Sequence, residues 1–580
     1  MSQLGTRTHT PFFADVCTAT ADALGRLGLT CSADEVAEMF EAPNRKGFGD
    51  SAFPCFPFSR ELKMPPPQIA AKLAEVFEMP SAVTEIKPIG GYFNVWYNAA
   101  AVAQDVLPRI ITEGRQYGSS DLGTGKTICM DYSHPNIAKP FGVGHLRSTV
   151  IGHALKNTFV KLGYTAVGIN HLGDWGTQFG KLIVAYRDWG DEGKLAQEPI
   201  QHLFDLYVRF HQEAEREPSL EDRARAEFKK LEDDDADNHA LWQRFRDLSL
   251  EEFNRVYDRL GVTFESYAGE AFYNDRLAPL IDRLVADGTA QTGDDGALVI
   301  LVGEGEDPPL LLRKADGATL YATRDLAAAE YRHEHYGFDQ CLYIVGSAQA
   351  LHFRQLFAVL KKMGYAWAES MHHVDFGWVK LADTMMSTRR GNIIFLDDVL
   401  AEAVARARAI ITEKNPELPN VDDVAEAVGV GAVVFWQLSV KRQKDVNFDW
   451  DQALSFEGRT GPYIQYTHAR LCSLMAKWGQ PVTADGCDWS ALATDEERRL
   501  LLQLARWPRE IVIAARHYEP QIIAAALLDM AQAFNSFYQK VRILDGAETA
   551  RAPRVGLAAC LRHVLAEGLH LLGLKAPEAM

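Results

Sequence analysis

The fold is decided by residues 126–176, which read KTICMDYSHPNIAKPFGVGHLRSTVIGHALKNTFVKLGYTAVGINHLGDWG. A short apolar run, KTICMDY, leads into a turn rich in proline and glycine, then a helical pattern, then a second apolar run. Alternation of short apolar runs with helical patterns is typical of a parallel sheet covered by helices. This stretch therefore predicts an α/β domain with a parallel sheet.

The rest of the chain divides around this stretch. Its 580 residues predict two to four domains, because one hydrophobic core rarely supports that length. Residues 1–105 predict a small α+β domain with an aromatic strand at 91–97. Residues 106–448 predict the sheet domain, with further strands at 341–347 and 372–381 and a charged insertion at about 191–260, interpreted as a helical hairpin. Residues 449–580 are helix-periodic and predict an all-α bundle.

Composition excludes several classes of protein. A formal net charge of −18 argues against coating nucleic acid or anionic membrane by bulk charge. The eight cysteines form no C-x-x-C pair, which argues against a zinc ribbon and a disulfide scaffold. No secretory signal and no apolar stretch long enough to span a bilayer is present. We therefore expect a reduced, cytoplasmic protein with no membrane partner and no metal held by the protein.

The turn after the first strand predicts a nucleotide site. In an open parallel sheet, ligands bind where a strand ends and a helix begins, and the free N–H groups of the helix attract phosphate. Gly142 and Gly144 allow close approach of a ligand, His145 can donate to a phosphate oxygen, and Lys139 adds positive charge. Neither a Walker A motif nor G-x-G-x-x-G is present, so a P-loop ATPase and an ordinary dinucleotide enzyme are not supported.

Two longer motifs then suggest a family. PNIAKPFGVGHLRST at 135–149 with NHLGDWGTQFG at 170–180 closely resembles arginyl-tRNA synthetases, a class I family with an H-x-G-H fingerprint. MMSTRRGN at 385–392 resembles the mobile KMSKS-type loop of the same class. The first fingerprint histidine corresponds to Gly142 and the leading lysine of the loop to Met385.

The resemblance implies a Rossmann-like catalytic domain, an amino-terminal domain that contacts the tRNA elbow and an anticodon-binding helical bundle. It implies an enzyme that attaches L-arginine to tRNA(Arg) through an arginyl-adenylate. ATP would be a substrate accompanied by Mg²⁺, with no tightly bound protein-ligated metal, and the enzyme would be a monomer. Activation of arginine would itself require bound tRNA in the pattern of the family.

The resemblance also assigns roles to individual residues. The catalytic residues would be Lys139, His145, Arg389 and Arg390, with Lys139 as the cation that compensates for Met385. The residues that bind ATP would be Gly142, Gly144, His145, His352, Met386 and Ser387. The residues that bind arginine would be His134, Pro135, Asn136, His145, Glu270, Tyr321, Asp325 and Gln349. The loop 171–176 would form part of the adenosine or substrate wall.

The chemistry of arginine agrees with the carboxylates in this set. A guanidinium ligand is planar and always charged, so a selective pocket requires carboxylates at fixed positions. Tyr321 and Asp325 are spaced i and i+4, which places them on one face of a helix. Alone, each residue is as readily a surface acid or a loop amide, and only the set favours a dicarboxylate pocket.

The helical bundle and the segment before it supply the expected contacts to tRNA. Thr460 and Gly461 before Pro462 predict a helix start, with Pro462 at the first helical position. The expected tRNA-binding residues are Tyr463, Tyr466, Arg470, Lys441 and Lys444. Aromatics at helical spacing are more often core than a base platform, so the resemblance carries this assignment.

Two alternatives stay open from the sequence. Gly142 and Met385 would suit a tRNA-binding paralogue with impaired catalysis. A class I synthetase for another amino acid would not need Asp325 and Glu270 to face one pocket. Lysine and arginine balance aspartate and glutamate in residues 451–580, so the whole negative charge falls on residues 1–450. We therefore expect tRNA binding to rely on local cationic and aromatic patches.

Overall fold

The computed structural model describes residues 10–580 except residues 44, 46, 294, 303–307, 316–318 and 382–394. The amino-terminal region is a small α+β unit in which helices pack on an antiparallel sheet of order β1-β3-β2. Its elements are α1 (Pro11–Arg26), α2 (Ala33–Met39), β1 (Ser51–Pro54), α3 (Ser59–Leu62), α4 (Pro66–Val76), β2 (Val83–Ile89) and β3 (Tyr92–Tyr97).

The aromatic run at 91–97 forms β3, the central strand of this sheet, as predicted. Phe93 and Val95 point into the core with no exposed surface. The next helix, α5 (Ala99–Glu113), starts at an Asn98 cap that accepts from the backbone N–H of Ala100. The expected domain boundary at 105/106 falls inside this helix.

The catalytic sheet has four parallel strands in the order β10-β9-β4-β5. Its first elements are β4 (Thr127–Asp131), α6 (Val143–Lys161), β5 (Thr165–Ile169) and α7 (Thr177–Trp189). Along β4, Ile128 and Met130 belong to one hydrophobic core and Cys129 to another, so the sheet is covered on both faces. The α/β fold predicted from this stretch is confirmed.

The charged insertion contains four helices, whereas the sequence suggested a hairpin. They are α8 (Glu192–Gln197), α9 (Pro199–Ala214), α10 (Ser219–Glu232) and α11 (Ala236–Leu260). Asp191 and Asp235 accept hydrogen bonds from backbone N–H groups and cap α8 and α11. Pro199 opens α9. These capping residues and the proline mark the starts of separate helices. The boundaries were not predicted, because the whole stretch is uniformly polar.

The chain then returns to the catalytic domain and completes the sheet. The elements are α12 (Asn274–Ala286), β6 (Gln291–Thr292), β7 (Leu298–Ile300), β8 (Leu310–Arg313), α13 (Tyr321–Tyr336), β9 (Gln340–Tyr343), α14 (Ala350–Lys362), β10 (Met371–His373) and β11 (Val379–Leu381). Strand β5 lies on one side of β4 and β9 lies on the other. The direction of winding therefore reverses beside β4, and such a reversal leaves a crevice at the carboxyl ends of the strands.

The segment 372–381 was expected to form one strand, and the structure divides it. Strand β10 belongs to the catalytic sheet, whereas β11 pairs in parallel with a later strand, β12 (Val446–Phe448). A Cβ on Gly377 would lie 2.7 Å from the backbone carbonyl carbon of Lys444, so glycine permits this close approach. The sequence did not predict the partner strand β12, because three residues are too few to show a strand period.

The last third of the chain, from residue 396, is mostly helical. Its helices are α15 (Leu396–Lys414), α16 (Val421–Leu438), α17 (Trp450–Ala453), α18 (Gly461–Trp478), α19 (Asp495–Arg516), α20 (Gln521–Lys540) and α21 (Glu548–Leu571). Thr460 caps α18 by accepting from the backbone N–H of Tyr463, and Pro462 is the second helical residue, one position later than expected. The predicted all-α region is confirmed. Among the helices that the structure describes, none is long and apolar enough to cross a membrane.

Candidate active site

The connection from β4 to α6 adopts an unusual backbone conformation. Ser133, His134 and Ala138 have positive φ angles of 85°, 56° and 58°, although none is glycine. Such conformations cost about 1–3 kcal/mol each and persist only where surrounding contacts hold them. Here the backbone N–H of Ser133 donates to Ser148 Oγ at 2.9 Å, and Ser148 donates in turn to the carbonyl of Ile344 at 2.7 Å. The turn is therefore fixed between α6 and the end of β9.

Buried charges meet at the carboxyl end of β4. Asp131 is 2.7 Å from Arg332 on α13, and its other oxygen is 2.6 Å from His134 Nε2. Burial alone would raise the pKa of Asp131, but Arg332 and His134 outweigh it and hold that pKa well below its ordinary value. Asp131 is therefore ionised, and it orients the imidazole of His134 at the mouth of the crevice.

His145 lies in the first turn of α6, where the sequence placed it. Burial lowers its pKa to about 4, and His134 acts in the same direction. The ring stacks on Phe141 at 5.4 Å, and its Nδ1 is buried without a hydrogen-bond partner in the described residues. The imidazole is therefore neutral at pH 7, and it offers hydrogen bonding with no positive charge.

The two glycines of this turn have different surroundings. Gly144 is exposed, and a Cβ there would meet nothing within 4 Å, so the start of α6 is open to a ligand. Gly142 is the buried N-cap and forms an isolated antiparallel bridge with Phe395. The backbone N–H of Leu396 also donates to the carbonyl of Phe141 at 2.9 Å. The segment that follows residues 382–394 therefore begins in contact with the fingerprint turn.

The expected substrate wall is joined to the same turn. The N–H of Gly173 donates to the carbonyl of Pro135 at 3.1 Å, and the N–H of Ile137 donates to the carbonyl of Gly173 at 3.3 Å. A Cβ on Gly173 would lie 2.2 Å from Asn136 Oδ1, so only glycine fits beside this amide. The structure thus brings Pro135 and Asn136 together with the loop 171–176.

Of the carboxylates expected to bind arginine, Asp325 lies on α13 and Glu270 lies in the connection between α11 and α12. Asp325 accepts from His352 Nε2 at 2.6 Å. Burial would lower the pKa of His352, but this hydrogen bond outweighs it and raises that pKa. Residues assigned to ATP and to arginine are therefore in direct contact.

Glu270 is the second carboxylate of this group. Burial raises its pKa to about 7, Arg324 opposes the change, and Asp174 and Asp325 reinforce it. Its backbone N–H donates to the carbonyl of Leu172 at 3.0 Å, which fixes it against the loop 171–176. A carboxylate with a raised pKa beside other carboxylates is a favourable place for a cation.

Tyr321 and Gln349 lie at the rim. Tyr321 is 70% exposed at the first position of α13, one turn before Asp325. Gln349 ends a short 3₁₀ turn before α14 and is exposed. Both side chains are therefore accessible to solvent.

Lys139 contacts side chains of α7 and α9. Its Nζ lies 3.5 Å from Gln178 Oε1 and 4.9 Å from the ring centre of Tyr207 on α9. The insertion therefore contributes a contact to this lysine. Met386, Ser387, Arg389 and Arg390, like Met385, lie outside the described residues.

Sequence reasoning missed several buried charges of the site. Arg332 has 1% of its surface exposed and Asp174 also has 1%, and Asp174 pairs with Arg246 at 3.2 Å. Arg332 stands in YRHEHY, a stretch that looks like a polar helix surface. Its position one helical turn from apolar residues 326–329 was the available signal, but only packing against Asp131 shows that it faces inward.

The expected tRNA-binding aromatics form one network between α18 and α20. Arg470 donates to Tyr466 Oη at 3.1 Å and to Asn535 Oδ1 at 2.8 Å, and Asn535 donates to Tyr463 Oη at 2.6 Å. The guanidinium lies 4.8 Å from the ring centre of Tyr466 and 5.2 Å from that of Tyr538. Tyr538 was missed by sequence reasoning because it lies 68 residues after Arg470 along the chain.

This cluster borders a cavity of about 690 Å³ that also includes Lys477, Lys540 and Arg542. Tyr538 is 41% exposed, so an aromatic face is accessible. Aromatic and guanidinium planes beside lysines are the groups on which unpaired bases stack.

Lys441 and Lys444 are both exposed in the turn before β12. Buried Arg147 on α6 stabilises this turn, because it donates to the carbonyls of Gly377 at 3.1 Å and Arg442 at 2.9 Å. The N–H of Lys444 donates to the carbonyl of Lys441 at 2.9 Å. The two lysines are therefore presented from a rigid turn fixed to α6.

The site combines a crevice at the carboxyl ends of a parallel sheet, an exposed glycine at the start of α6 and two carboxylates, which is an arrangement typical of α/β enzymes. Residues 106–450 match the family described as tRNA synthetases class I (R), catalytic domain. Residues 16–96 match the arginyl tRNA synthetase N terminal domain, and residues 464–580 match the DALR anticodon binding domain.

Relatives agree over nearly the whole chain. An arginine--tRNA ligase of Clostridioides difficile is 46% identical, with 95% of this chain and 97% of the relative covered. One of Exiguobacterium sibiricum is 48% identical, covering 96% and 98%. The solved arginyl-tRNA synthetase of Thermus thermophilus has a TM-score of 0.82 at 27% identity, covering 98% of this chain and 99% of that one. This chain belongs to the arginyl-tRNA synthetase family.

Proposed function

We propose that this chain attaches L-arginine to tRNA(Arg). The arginine carboxylate attacks the α-phosphate of ATP, pyrophosphate leaves, and a terminal ribose hydroxyl of the tRNA then takes the arginyl group from the adenylate. The observation that supports the proposal is the grouping of Asp325 and Glu270, which interact electrostatically, with the loop 171–176 and the turn at 135–137. Identity of almost half the residues to ligases named for arginine supports the choice of amino acid.

In this proposal the carboxylates bind the guanidinium of the substrate. Asp325 is already hydrogen-bonded to His352, so its free oxygen faces the ligand with a fixed orientation. A bound cation lowers the raised pKa of Glu270, because positive charge favours the ionised form of the carboxyl group. Tyr321 and Gln349 close the pocket from the rim, while Asn136, Pro135 and His134 hold the end that carries the α-amino group and the carboxylate.

ATP is proposed to lie over the start of α6. Gly142 and Gly144 let the phosphates approach the helix N–H groups, and neutral His145 donates a hydrogen bond to a phosphate oxygen. Mg²⁺ would arrive with ATP. Arg389, Arg390, Met386 and Ser387 are proposed to contact the phosphates as the second loop, on the strength of the motif alone.

Lys139 is proposed to supply the charge that Met385 lacks. The contacts with Tyr207 and Gln178 hold it on the insertion side, so its Nζ must turn toward pyrophosphate as the site fills. Lys139→Ala should abolish adenylate formation and leave tRNA binding intact. Lys194→Ala, at an exposed position of α8, is the control. A near-normal rate for Lys139→Ala would remove this role.

The remaining regions are proposed to bind tRNA. Tyr463, Tyr466 and Arg470 would contact anticodon bases, Lys441 and Lys444 would contact stem phosphates, and the amino-terminal unit would contact the elbow. The division at 1–105, 106–448 and 449–580, the monomeric state and a cytoplasmic location are proposed on the sequence alone.

The decisive experiment is ATP–pyrophosphate exchange with arginine, with and without tRNA. We expect exchange with arginine and no exchange with lysine, glutamine or cysteine. A tRNA-binding paralogue would bind tRNA and show no exchange. A synthetase for another amino acid would exchange with that amino acid, and either outcome would overturn the proposal.

A further inference from the structure

A second cavity lies between α18, α21, the carboxyl-terminal tail and the segment that leads into β4. Its volume is about 430 Å³, within the usual range of small-ligand sites. The charged groups that line it are Arg115, Arg562, Lys575 and Glu578. Three cations therefore face one carboxylate, and neither the proposed reaction nor the proposed tRNA contacts use them.

The positive charge of this cavity is only partly neutralised by its surroundings. Arg115 Nε pairs with Glu567 at 3.0 Å, but Lys161 shares the same carboxylate at 2.9 Å. In the described part of the chain, no carboxylate forms an ion pair with Arg562 or Lys575. Two cations thus share Glu567, and Glu578 is the carboxylate that lines the cavity together with Arg562 and Lys575.

Burial and the positive charge of the cavity lower the pKa values of two of its histidines, His468 and His563. His468 donates from Nδ1 to the carbonyl of Pro577 at 2.9 Å, which fixes its ring against the tail. Burial lowers the pKa of His563, and Arg562, His468 and Arg115 lower it further. Neutral imidazoles can donate to a ligand without adding positive charge, so the cavity combines hydrogen-bond donors with cations.

The walls of the cavity are held in place from three parts of the chain. Arg115 belongs to the connection between α5 and β4, Arg562 to α21 and Lys575 to the tail. The tail is anchored because Gln465 Nε2 on α18 donates to the carbonyl of Lys575 at 2.9 Å. The cationic groups therefore converge from rigid elements, as in a preformed anion site.

We propose that this cavity binds a small phosphate-class anion, inorganic phosphate or pyrophosphate, between the guanidinium groups of Arg115 and Arg562 and the ammonium of Lys575. A volume of about 430 Å³ accommodates a free anion of this size. A bound anion joins the carboxyl-terminal tail to α21 and to the segment that leads into β4, so it stabilises the arrangement of these elements by mass action.

Cys472 provides a local readout, because it lines the cavity and is partly exposed. The full-length protein is alkylated with iodoacetamide, and the rate at each cysteine is read by peptide mass spectrometry. Pyrophosphate should slow alkylation of Cys472 by about fivefold at four times its dissociation constant, as occupancy requires. Cys31, in the amino-terminal unit, is the internal control and should react at an unchanged rate.

Variants separate this site from the active site, where pyrophosphate also binds in the proposed function. Arg562→Gln and Lys575→Gln should each raise the pyrophosphate concentration that half-protects Cys472 by about tenfold, as loss of a charged hydrogen bond does. Arg499→Gln, at an exposed position of α19, should leave protection unchanged. Lys575 is exposed, so its variant is not expected to unfold the protein.

The arms of the experiment distinguish the sources of phosphate. Protection by phosphate or pyrophosphate that both variants weaken supports the proposal. Protection that survives both variants arises from the active site and overturns it. Protection by tRNA alone, or no protection by either free anion, overturns it as well, and these results leave the exchange assay for arginine unaffected.

Discussion

The carboxyl edge of β4 and the cluster between α18 and α20 both use arginine, but in opposite surroundings. Arg332 is buried and pairs with Asp131, which lies 201 residues earlier in the chain, at the end of β4. Arg470 is partly exposed and contacts Tyr466 one helical turn away. A buried charge has no alternative partner, whereas an exposed one has water. The catalytic edge should therefore tolerate substitution poorly, and the tRNA cluster should tolerate it well.

The largest effect is expected when the buried pair is broken. Arg332→Met should destabilise the catalytic domain by about 3–5 kcal/mol, because Asp131 is left buried with only the hydrogen bond to His134 to offset its charge. Thermal unfolding followed by circular dichroism measures it. Arg276→Met, which removes an exposed ion pair with Glu334, should cost no more than about 1 kcal/mol. Equal shifts for the two variants would contradict the contrast between buried and exposed pairs.

The next largest effect is expected at the proposed guanidinium site. Asp325→Asn should lower kcat/KM for arginine by about a hundredfold, since loss of one partner in a desolvated charge pair costs at least 2 kcal/mol. Affinity for tRNA should not change. Asp282→Asn, on the exposed face of α12, serves as the matched control. A normal kcat/KM in the Asp325 variant would exclude it from arginine binding.

A smaller effect is expected in the helical bundle. Arg470→Ala removes one guanidinium plane between two tyrosines and should raise KM for tRNA by about tenfold, within the usual range for one stacking contact. Because the cluster is partly exposed, thermal stability should fall little. Arg499→Ala on α19 is the control. An unchanged KM for tRNA, measured in steady-state aminoacylation, would place the tRNA elsewhere.

The smallest effect is a pH dependence of arginine binding. Glu270 has a pKa of about 7, so it is neutral below that pH and attracts a guanidinium less. KM for arginine should fall about two- to threefold between pH 6 and 8, and Glu270→Gln should flatten the profile. A wild-type profile that is already flat would refute this.

The same carboxyl should affect stability in the opposite direction. Its folded pKa lies above its ordinary value of 4.5, so between pH 4.5 and about 7 the folded state binds more protons than the unfolded state. The contribution of Glu270 to stability therefore decreases as the pH rises through that window. Thermal unfolding of wild type and Glu270→Gln across it measures this difference.

Much of the fold could be read from local patterns. The stretch 126–176 predicted a strand, a helix and a second strand, and β4, α6 and β5 lie there. The insertion was read as two helices and has four, since uniform charge masked the caps at Asp191 and Asp235. Strand β12 was missed because its pairing with β11 joins residues 67 positions apart.

The sequence by itself determined the alternating architecture, the order of the regions and the fingerprint turn, because these depend on periodicity and on neighbours along the chain. Only the tertiary structure decided that Arg332 faces Asp131, that His352 donates to Asp325, and that Tyr538 joins Arg470. Each of these contacts links elements far apart in sequence, and burial then sets the charge of every group. The ionisation of each group depends on its burial and on the charges beside it, and both are set only when the chain folds.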